Sequence, residues 1–264
     1  MSRQIEAVVG YLKHSFKVQS KYHIHSPFVF DFYNQVLQNG RENPQYRVVN
    51  RLRKELETVS RFIKRKDLGA NSKDYSCDQR FVRVKDIAHH SSVSRKKGEL
   101  LFRLIRHYKP STILELGTSL GISTIYLSLA APESRIITIE GCIDLANLAR
   151  MNFDKAGLKN VHVITGNFDE MLGVAFVEMP SPDLIFFDGN HKKEPTLAYF
   201  NQSLQHIHPG TVLIIDDIHW SAGMTEAWNI IRCHPKVKVS IDTYHMGIIF
   251  FKEELSKEDF TLRF

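Results

Sequence analysis

Four short stretches of this chain end apolar runs on groups that could do chemistry. "ILELGTSLGIS" places Glu115 just before Gly117 and Gly121, and "IITIEG" ends on Glu140 and Gly141. "LIFFDGNH" ends on Asp188, and "TVLIIDDIHW" on Asp216 and Asp217. Gly117 and Gly121 allow a tight turn and a close approach of backbone to a ligand. Glu140 follows Glu115 by 25 residues, the spacing at which a carboxylate accepts two hydrogen bonds from a ribose diol. A pyrophosphate would need G-x-G-x-x-G at the helix entry. Counting from Gly117, the second and third glycine positions are Ser119 and Ile122, so that pattern fails. Glu115 would repel phosphates but suits a cationic amino-acid end. An adenosine carrying a sulfonium and an amino acid fits these residues better than a dinucleotide.

The second cluster is acidic. If the strands before Asp188 and Asp216 are neighbours, their ends lie about 4.8 Å apart. Asp188, Asp216 and Asp217 would then converge, and three such carboxylates repel one another unless a cation or a proton intervenes. Ligation by oxygen alone suits a hard ion such as Mg²⁺ or Ca²⁺. The metal-free alternative stays open: Asp188 contacts cofactor or acceptor, and Asp216 or Asp217 caps the segment that follows. His219 and Trp220, just beyond, are candidates for an acceptor pocket, and Trp220 serves equally as packing.

The elements that must position these groups can be read from periodicity. Candidate strands are Thr112–Leu116, Arg135–Glu140, Val161–Thr165, 183–188 and 211–217, with helices near 123–130, 143–156, 169–177 and 194–206 between them. Alternating apolar strands and helices argue for an α/β fold, a doubly wound sheet covered on both faces. The runs 237–242 and 247–251 are too close for a helix between them and read as a hairpin, giving a seven-stranded mixed sheet. Upstream, residues 1–80 read as helices outside the sheet. Ser26-Pro27 starts one. Pro44 opens another to about Lys64, carried by Val48, Leu52, Leu56, Val59 and Ile63. Residues 65–77 read as a polar loop. Ser94 caps a helix to Tyr108. The expected division is residues 1–85 as a basic helical extension and 86–264 as the catalytic domain.

Together the four motifs resemble class I S-adenosylmethionine-dependent methyltransferases, and among them the catechol O-methyltransferase-like branch, over residues 90–252. "KYHIHSPFVF" looks like the front end of bacterial members and brings no substrate with it. The resemblance implies a Rossmann-like methyltransferase fold and S-adenosylmethionine as cofactor. It implies that Glu115, Gly117, Thr118, Ser119 and Gly121 line the methionine part, that Glu140 binds the ribose, and that Gly141 and Cys142 flank the adenine. Asn167 and Phe168 would sit at the adenine edge, and Asp188 beside cofactor and acceptor. Many members carry glycine where this chain has Ser119. In catechol enzymes the positions of Asp188, Asp216 and Asp217 hold Mg²⁺, although asparagine is common at the last. The family's general-base lysine aligns best with His191, a competent base for a hydroxyl, with Lys192 one residue further. A loop histidine orienting an acid is the plainer role.

The whole chain bounds these readings. Its 264 residues, 43% hydrophobic and 24% charged, suit one large domain or one domain with an extension. No apolar run is long enough to span a bilayer, and the first residues lack the apolar core of a signal peptide. Cys77, Cys142 and Cys233 lie far apart without metal spacing, as expected of reduced thiols in a cytoplasmic protein. His23, His25, His89 and His90 keep no ligand spacing with cysteines or acids, although "HHSS" at 89–92 stands where a lid could reach over the cofactor. Charge is uneven: residues 1–110 carry 23 Lys/Arg against 10 Asp/Glu, and residues 111–264 carry 12 against 19. The reading is therefore an enzyme that methylates a small-molecule acceptor, on a hydroxyl oxygen, with Mg²⁺ assistance left open. Two alternatives stand beside it. One is methylation of RNA or protein through the basic N-terminal part, although no N-P-P-Y-like tetrapeptide follows the fourth strand. The other is a non-catalytic nucleic-acid-binding protein on the same fold. A homodimer is left open as well.

Overall fold

The computed structural model describes residues 11, 14–16, 18–66 and 79–264. The chain divides into two units, one of residues 1–38 with 181–264 and the other of residues 39–180. The first unit opens with α1 (Pro27–Phe32), preceded by Ser26. The second holds α2 (Tyr46–Leu56), β1 (Phe62–Lys66), β2 (Gln79–Arg83), α3 (Val84–His90) and α4 (Arg95–Tyr108). It continues with β3 (Thr112–Leu116), α5 (Ile122–Ala130), β4 (Arg135–Glu140), α6 (Ile143–Lys155), β5 (Val161–Thr165) and α7 (Phe168–Glu178). The first unit then resumes with β6 (Leu184–Phe187), α8 (Lys193–Ser203), β7 (Val212–Asp216) and α9 (Ala222–Cys233), and ends with β8 (Val239–Asp242), β9 (Met246–Phe250) and β10 (Glu258–Thr261).

In the unit of residues 39–180, β3, β4 and β5 run parallel, with Glu115 beside Thr138 and Glu140 beside Thr165. Their apolar sequences explain this. Ile113, Leu114, Ile136 and Ile137 have no exposed surface, as strands covered on both faces require. Parallel neighbours need crossovers, and α5 and α6 supply them. All three strands deliver their carboxyl ends to one edge. The other unit orders its strands β10-β8-β9-β7-β6. There β6 and β7 are parallel, β7–β9 and β9–β8 antiparallel, and β8 and β10 parallel. The hairpin expected at 237–251 is β8–β9.

Two expectations are corrected. The helix expected from Pro44 to about Lys64 stops at Leu56, and Phe62–Lys66 is a strand paired antiparallel with β2. Ile63, at 2% exposure, faces inward opposite Val82 in a period-2 pattern that mimics helical spacing over this short run. Among the described residues, five strands of the one unit (β6 to β10) and β3, β4 and β5 of the other are one more than the seven expected. Glu258–Thr261 is too polar to announce itself, and it is held by the ladder to β8 and by Ser240 Oγ donating to Asp259 Oδ1 at 2.5 Å. The polar stretch at 65–77 enters β1 at its start, and its remainder, with Cys77, lies outside the described residues. The structure also adds α9, capped by Ser221 Oγ, which accepts from the Met224 N–H at 3.1 Å.

The helix expected after Ser94 is α4, and the Ser94 side chain accepts from the Lys97 N–H. α4 packs on α5 through Gly98, where a Cβ would lie 2.2 Å from Cε2 of Tyr126. That ring is fully buried. Gly98→Ala would gain about 1 kcal/mol of helix propensity, but overpacking of this kind costs about 1–3 kcal/mol. The variant is expected to be less stable by up to about 2 kcal/mol in urea unfolding, and a variant of raised stability would show that the two helices can separate freely.

Candidate active site

The loop after β3 reverses direction through three left-handed residues, Gly117 (φ 104°), Ser119 (φ 49°) and Gly121 (φ 81°). Gly121 is irreplaceable on two counts, since its φ is positive and a Cβ there would lie 2.4 Å from Cε1 of Phe153. Main-chain bonds from the Gly117 and Thr118 N–H groups to the Ile139 carbonyl, at 3.0 and 3.3 Å, fasten the loop to β4. The Asn152 side chain holds it from α6, donating to the Leu120 carbonyl at 2.9 Å.

Glu140, the last residue of β4, is buried at 9% exposure. One of its carboxylate oxygens accepts from the Ser119 N–H at 2.7 Å, and the other from the Cys142 N–H at 2.9 Å. Each oxygen has lone-pair capacity beyond that single bond, so the group is oriented and still able to accept from a diol. Around it, Ser119, Gly141, Asn167 and Phe168 keep partly accessible surface, while Gly117, Thr118, Gly121 and Cys142 are buried. Asn167 stands at the start of α7 and its side chain donates to Asp169 Oδ2 at 3.4 Å.

Glu115 is placed differently from the sequence expectation. It has no exposed surface and lies beneath the loop rather than lining it. Its Oε2 accepts from the hydroxyls of Thr124, at 2.5 Å, and Thr138, at 2.7 Å. Thr138 in turn lies 2.6 Å from the Thr118 hydroxyl. Burial pushes the Glu115 carboxyl up to about 7, against the opposing pull of these hydroxyls.

In the other unit, Asp188 follows β6 and Asp216 ends β7. The pairing of Phe187 with Ile215 puts the two acids level on neighbouring strands. Asp217 comes directly after Asp216, leaves the strand at φ 53° and donates its N–H to the His245 carbonyl at 2.7 Å. Among the described residues no three His, Cys, Asp or Glu side chains are grouped so as to hold a metal ion. No step below passes through a metal. His191 Nε2 lies 3.9 Å from Asp188 Oδ1, near enough for attraction but too far for a hydrogen bond. Both groups are partly accessible. Lys192 precedes α8, with its N–H bonded to the Asn190 carbonyl at 2.5 Å.

His219, read as an acceptor-pocket residue, has both ring nitrogens engaged. Nε2 donates to Asp242 Oδ2 at 2.8 Å, and Nδ1 lies 3.1 Å from the Thr225 hydroxyl. Asp242 also accepts from His14 Nε2 at 2.9 Å, Trp228 Nε1 at 3.1 Å and the Tyr244 N–H at 2.8 Å. Burial alone would raise its pKa, yet the bonds from His14 and His219 hold it well below the ordinary carboxylate range. This hub escaped the sequence reading. His14 and Asp242 stand 228 residues apart, and no local pattern links them. Trp220 is about half exposed. His89 and His90 are exposed at the end of α3.

A family model described as a methyltransferase domain matches residues 114–218. A catechol O-methyltransferase from Niastella koreensis is 37% identical over 130 residues, 48% of this chain and 58% of that relative, so the match spans less than two thirds of the relative's length. A catechol O-methyltransferase from Sus scrofa is 31% identical over 132 residues, 48% of this chain and 70% of the relative. Among solved structures, the O-methyltransferase TomG from Streptomyces achromogenes, involved in tomaymycin synthesis and crystallised in complex with S-adenosylmethionine, is similar with a TM-score of 0.53 at 25% identity. That likeness covers 61% of this chain and 82% of that one.

The buried Glu115 predicts a pH dependence. An unfolded glutamate releases its proton near 4.3, whereas the folded carboxyl keeps it to about 7. Between those values the folded state binds the extra proton, so stability falls as pH rises through this window and levels off above it. Glu115→Gln removes that slope. Relative to the parent, the variant is expected to gain stability of order 3 kcal/mol between pH 4.3 and pH 8 in urea unfolding without ligand. A pH-independent difference would mean that Glu115 titrates as it does in the unfolded chain.

Proposed function

Because the chain belongs to the catechol O-methyltransferase-like branch of the class I S-adenosylmethionine-dependent methyltransferases, we propose that it is an enzyme transferring a methyl group from S-adenosylmethionine to a hydroxyl oxygen of a small molecule. The observation that carries this reading is the Glu140 carboxylate, oriented by the Ser119 and Cys142 N–H groups at the end of β4. In this reading residues 86–264 carry the transfer and residues 1–85 are an extension to it. Two free thiols among the described residues, Cys142 and Cys233, support a reducing, cytoplasmic setting. No helix among the described residues is long and apolar enough to cross a membrane.

S-adenosylmethionine, when bound, supplies a methyl carbon on a cationic sulfur, and attack by the acceptor oxygen breaks the carbon–sulfur bond and leaves a neutral thioether. The chain's own groups do the rest. Glu140 would hold the ribose hydroxyls, using the lone pairs its two main-chain bonds leave over. The left-handed loop, with Gly117, Thr118, Ser119 and Gly121, brings main chain against the methionine end, and Glu115 and Thr138 hold that loop from below. Gly141, Cys142, Asn167 and Phe168 would receive the adenine. His191 takes the proton that the acceptor hydroxyl loses, and the Asp188 carboxylate favours the imidazolium so formed. Lys192 is the second candidate for that proton. Most of the rate would come from alignment of the reacting atoms.

Calorimetry with S-adenosylhomocysteine tests the cofactor half. The parent protein is expected to bind, and Glu140→Ala to bind about 10- to 150-fold more weakly, the worth of a hydrogen bond to a charged group. No binding by the parent would overturn the assignment. For the proton, His191→Ala is expected to lower turnover about 10²- to 10⁴-fold on an identified acceptor with cofactor affinity nearly unchanged, and full activity of that variant would pass the role to Lys192 or to alignment alone.

A further inference from the structure

The turn that follows β4 is also the anchor of a second element in the same unit. β1 pairs with β2 along one edge. The main-chain groups of its residue Lys64 are taken up by side chains of the turn. The Lys64 N–H donates to Asp144 Oδ2 at 3.1 Å, and the Lys64 carbonyl accepts from Cys142 Sγ at 3.4 Å. An edge strand carries unpaired main-chain groups that need partners, and here both come from the start of α6. Cys142 stands at the N-cap position of α6 and makes no side-chain capping bond there. The apolar side of β1 follows suit, with Ile63 buried at 2% exposure.

Glu140 Oε1 accepts from the N–H of the same Cys142. The carboxylate proposed to hold the ribose and the thiol that fastens β1 therefore belong to one turn of three residues, whose middle member, Gly141, keeps accessible surface. A ligand seated on this turn and a strand docked against it share the same main chain. We infer that β1 is the outer wall of the adenine-side subsite and that Asp144 is a positioning residue for it. Its carboxylate fixes Lys64, and through Lys64 the strand, against the turn that receives the nucleoside. This inference rests on the cofactor reading above. Coupling of this kind is reciprocal, so the docked strand favours the ligand and the bound ligand favours docking by the same factor.

The test uses the full chain, with S-adenosylhomocysteine and adenosine as separate probes in calorimetry and trypsin as the reporter of docking. Residues 61–66 and 79–85 carry seven Lys/Arg and no Asp/Glu, so trypsin reads this region densely. In the parent protein, S-adenosylhomocysteine is expected to slow cutting there. Asp144→Ala should raise the Kd of both probes about 5-fold or more, speed cutting in the two segments and abolish the protection. Asp144→Asn should restore all three, because its amide oxygen still accepts from the Lys64 N–H. A general loss of stability would lower Tm without this split between alanine and asparagine. Parent-like affinity of Asp144→Ala for both probes, with faster cutting, would overturn the inference while leaving the cofactor reading intact. Failure of the parent itself to bind either probe would overturn both. If Asp144→Ala does not fold, Cys142→Ala is measured in the same way, and unchanged affinity together with unchanged protection overturns the inference.

Discussion

The Glu140 carboxylate ties together most of what the unit of residues 39–180 presents at its strand ends. One oxygen holds the loop after β3 through the Ser119 N–H, and the other holds the start of α6 through the Cys142 N–H. Such bonds to a charged acceptor contribute about 1.5–3 kcal/mol each. They help to offset the cost of holding Ser119, a residue with a side chain, in the left-handed region. The arrangement needs β3 and β4 parallel and in register, so that Leu116 and Ile139 are level and the loop can reach across. A slip of one residue would turn Glu140 to the other face of the sheet. The glycine loop and the entry of α6 each take one bond from that carboxylate, and the loop takes others from the Ile139 carbonyl and the Asn152 side chain.

Two other buried carboxyl groups show how donor supply decides the charge state of an acid. Asp242 accepts four bonds on two oxygens, from His14, His219, Trp228 and the Tyr244 N–H, and is held ionised despite its burial. Glu115 receives hydroxyls on one oxygen only, and its Oε1 is buried without a hydrogen-bond partner. Desolvation prevails there and its pKa rises to about 7. The first arrangement fixes a structural hub. The second leaves a group near neutrality directly beneath the loop proposed to meet the cationic end of the cofactor.

His191 and Asp188 lie on partly exposed loop residues with no hydrogen bond between them. His219, which looks similar in sequence, is locked by Asp242 and Thr225. What sets the two apart was invisible in "DGNH" and "DDIHW", because the Asp242 that locks His219 stands 23 residues further along the chain. The acidic cluster taught the same lesson. Two acids at the ends of neighbouring strands are legible from the order of elements, but the left-handed turn at Asp217 is not.

The sequence by itself determined the parallel strands of residues 112–165 to the residue, because each is a short apolar run bounded by polar turns and a strand covered on both faces has no other composition available. It determined the glycine loop and the acid 25 residues beyond it, since the positive φ at Gly117 and Gly121 favours glycine and the ends of both strands are marked by their acids. Tertiary structure decided what local pattern leaves degenerate. Val59 and Ile63 continue a helical spacing but went to the loop and strand beyond α2, because Ile63 is buried opposite Val82 and the main chain of Lys64 finds Asp144 and Cys142. Glu258–Thr261 became a strand only because β8 offered a free edge. His14 met Asp242 across 228 residues. In each case the deciding partner is distant in the chain, and no short-range periodicity can encode it.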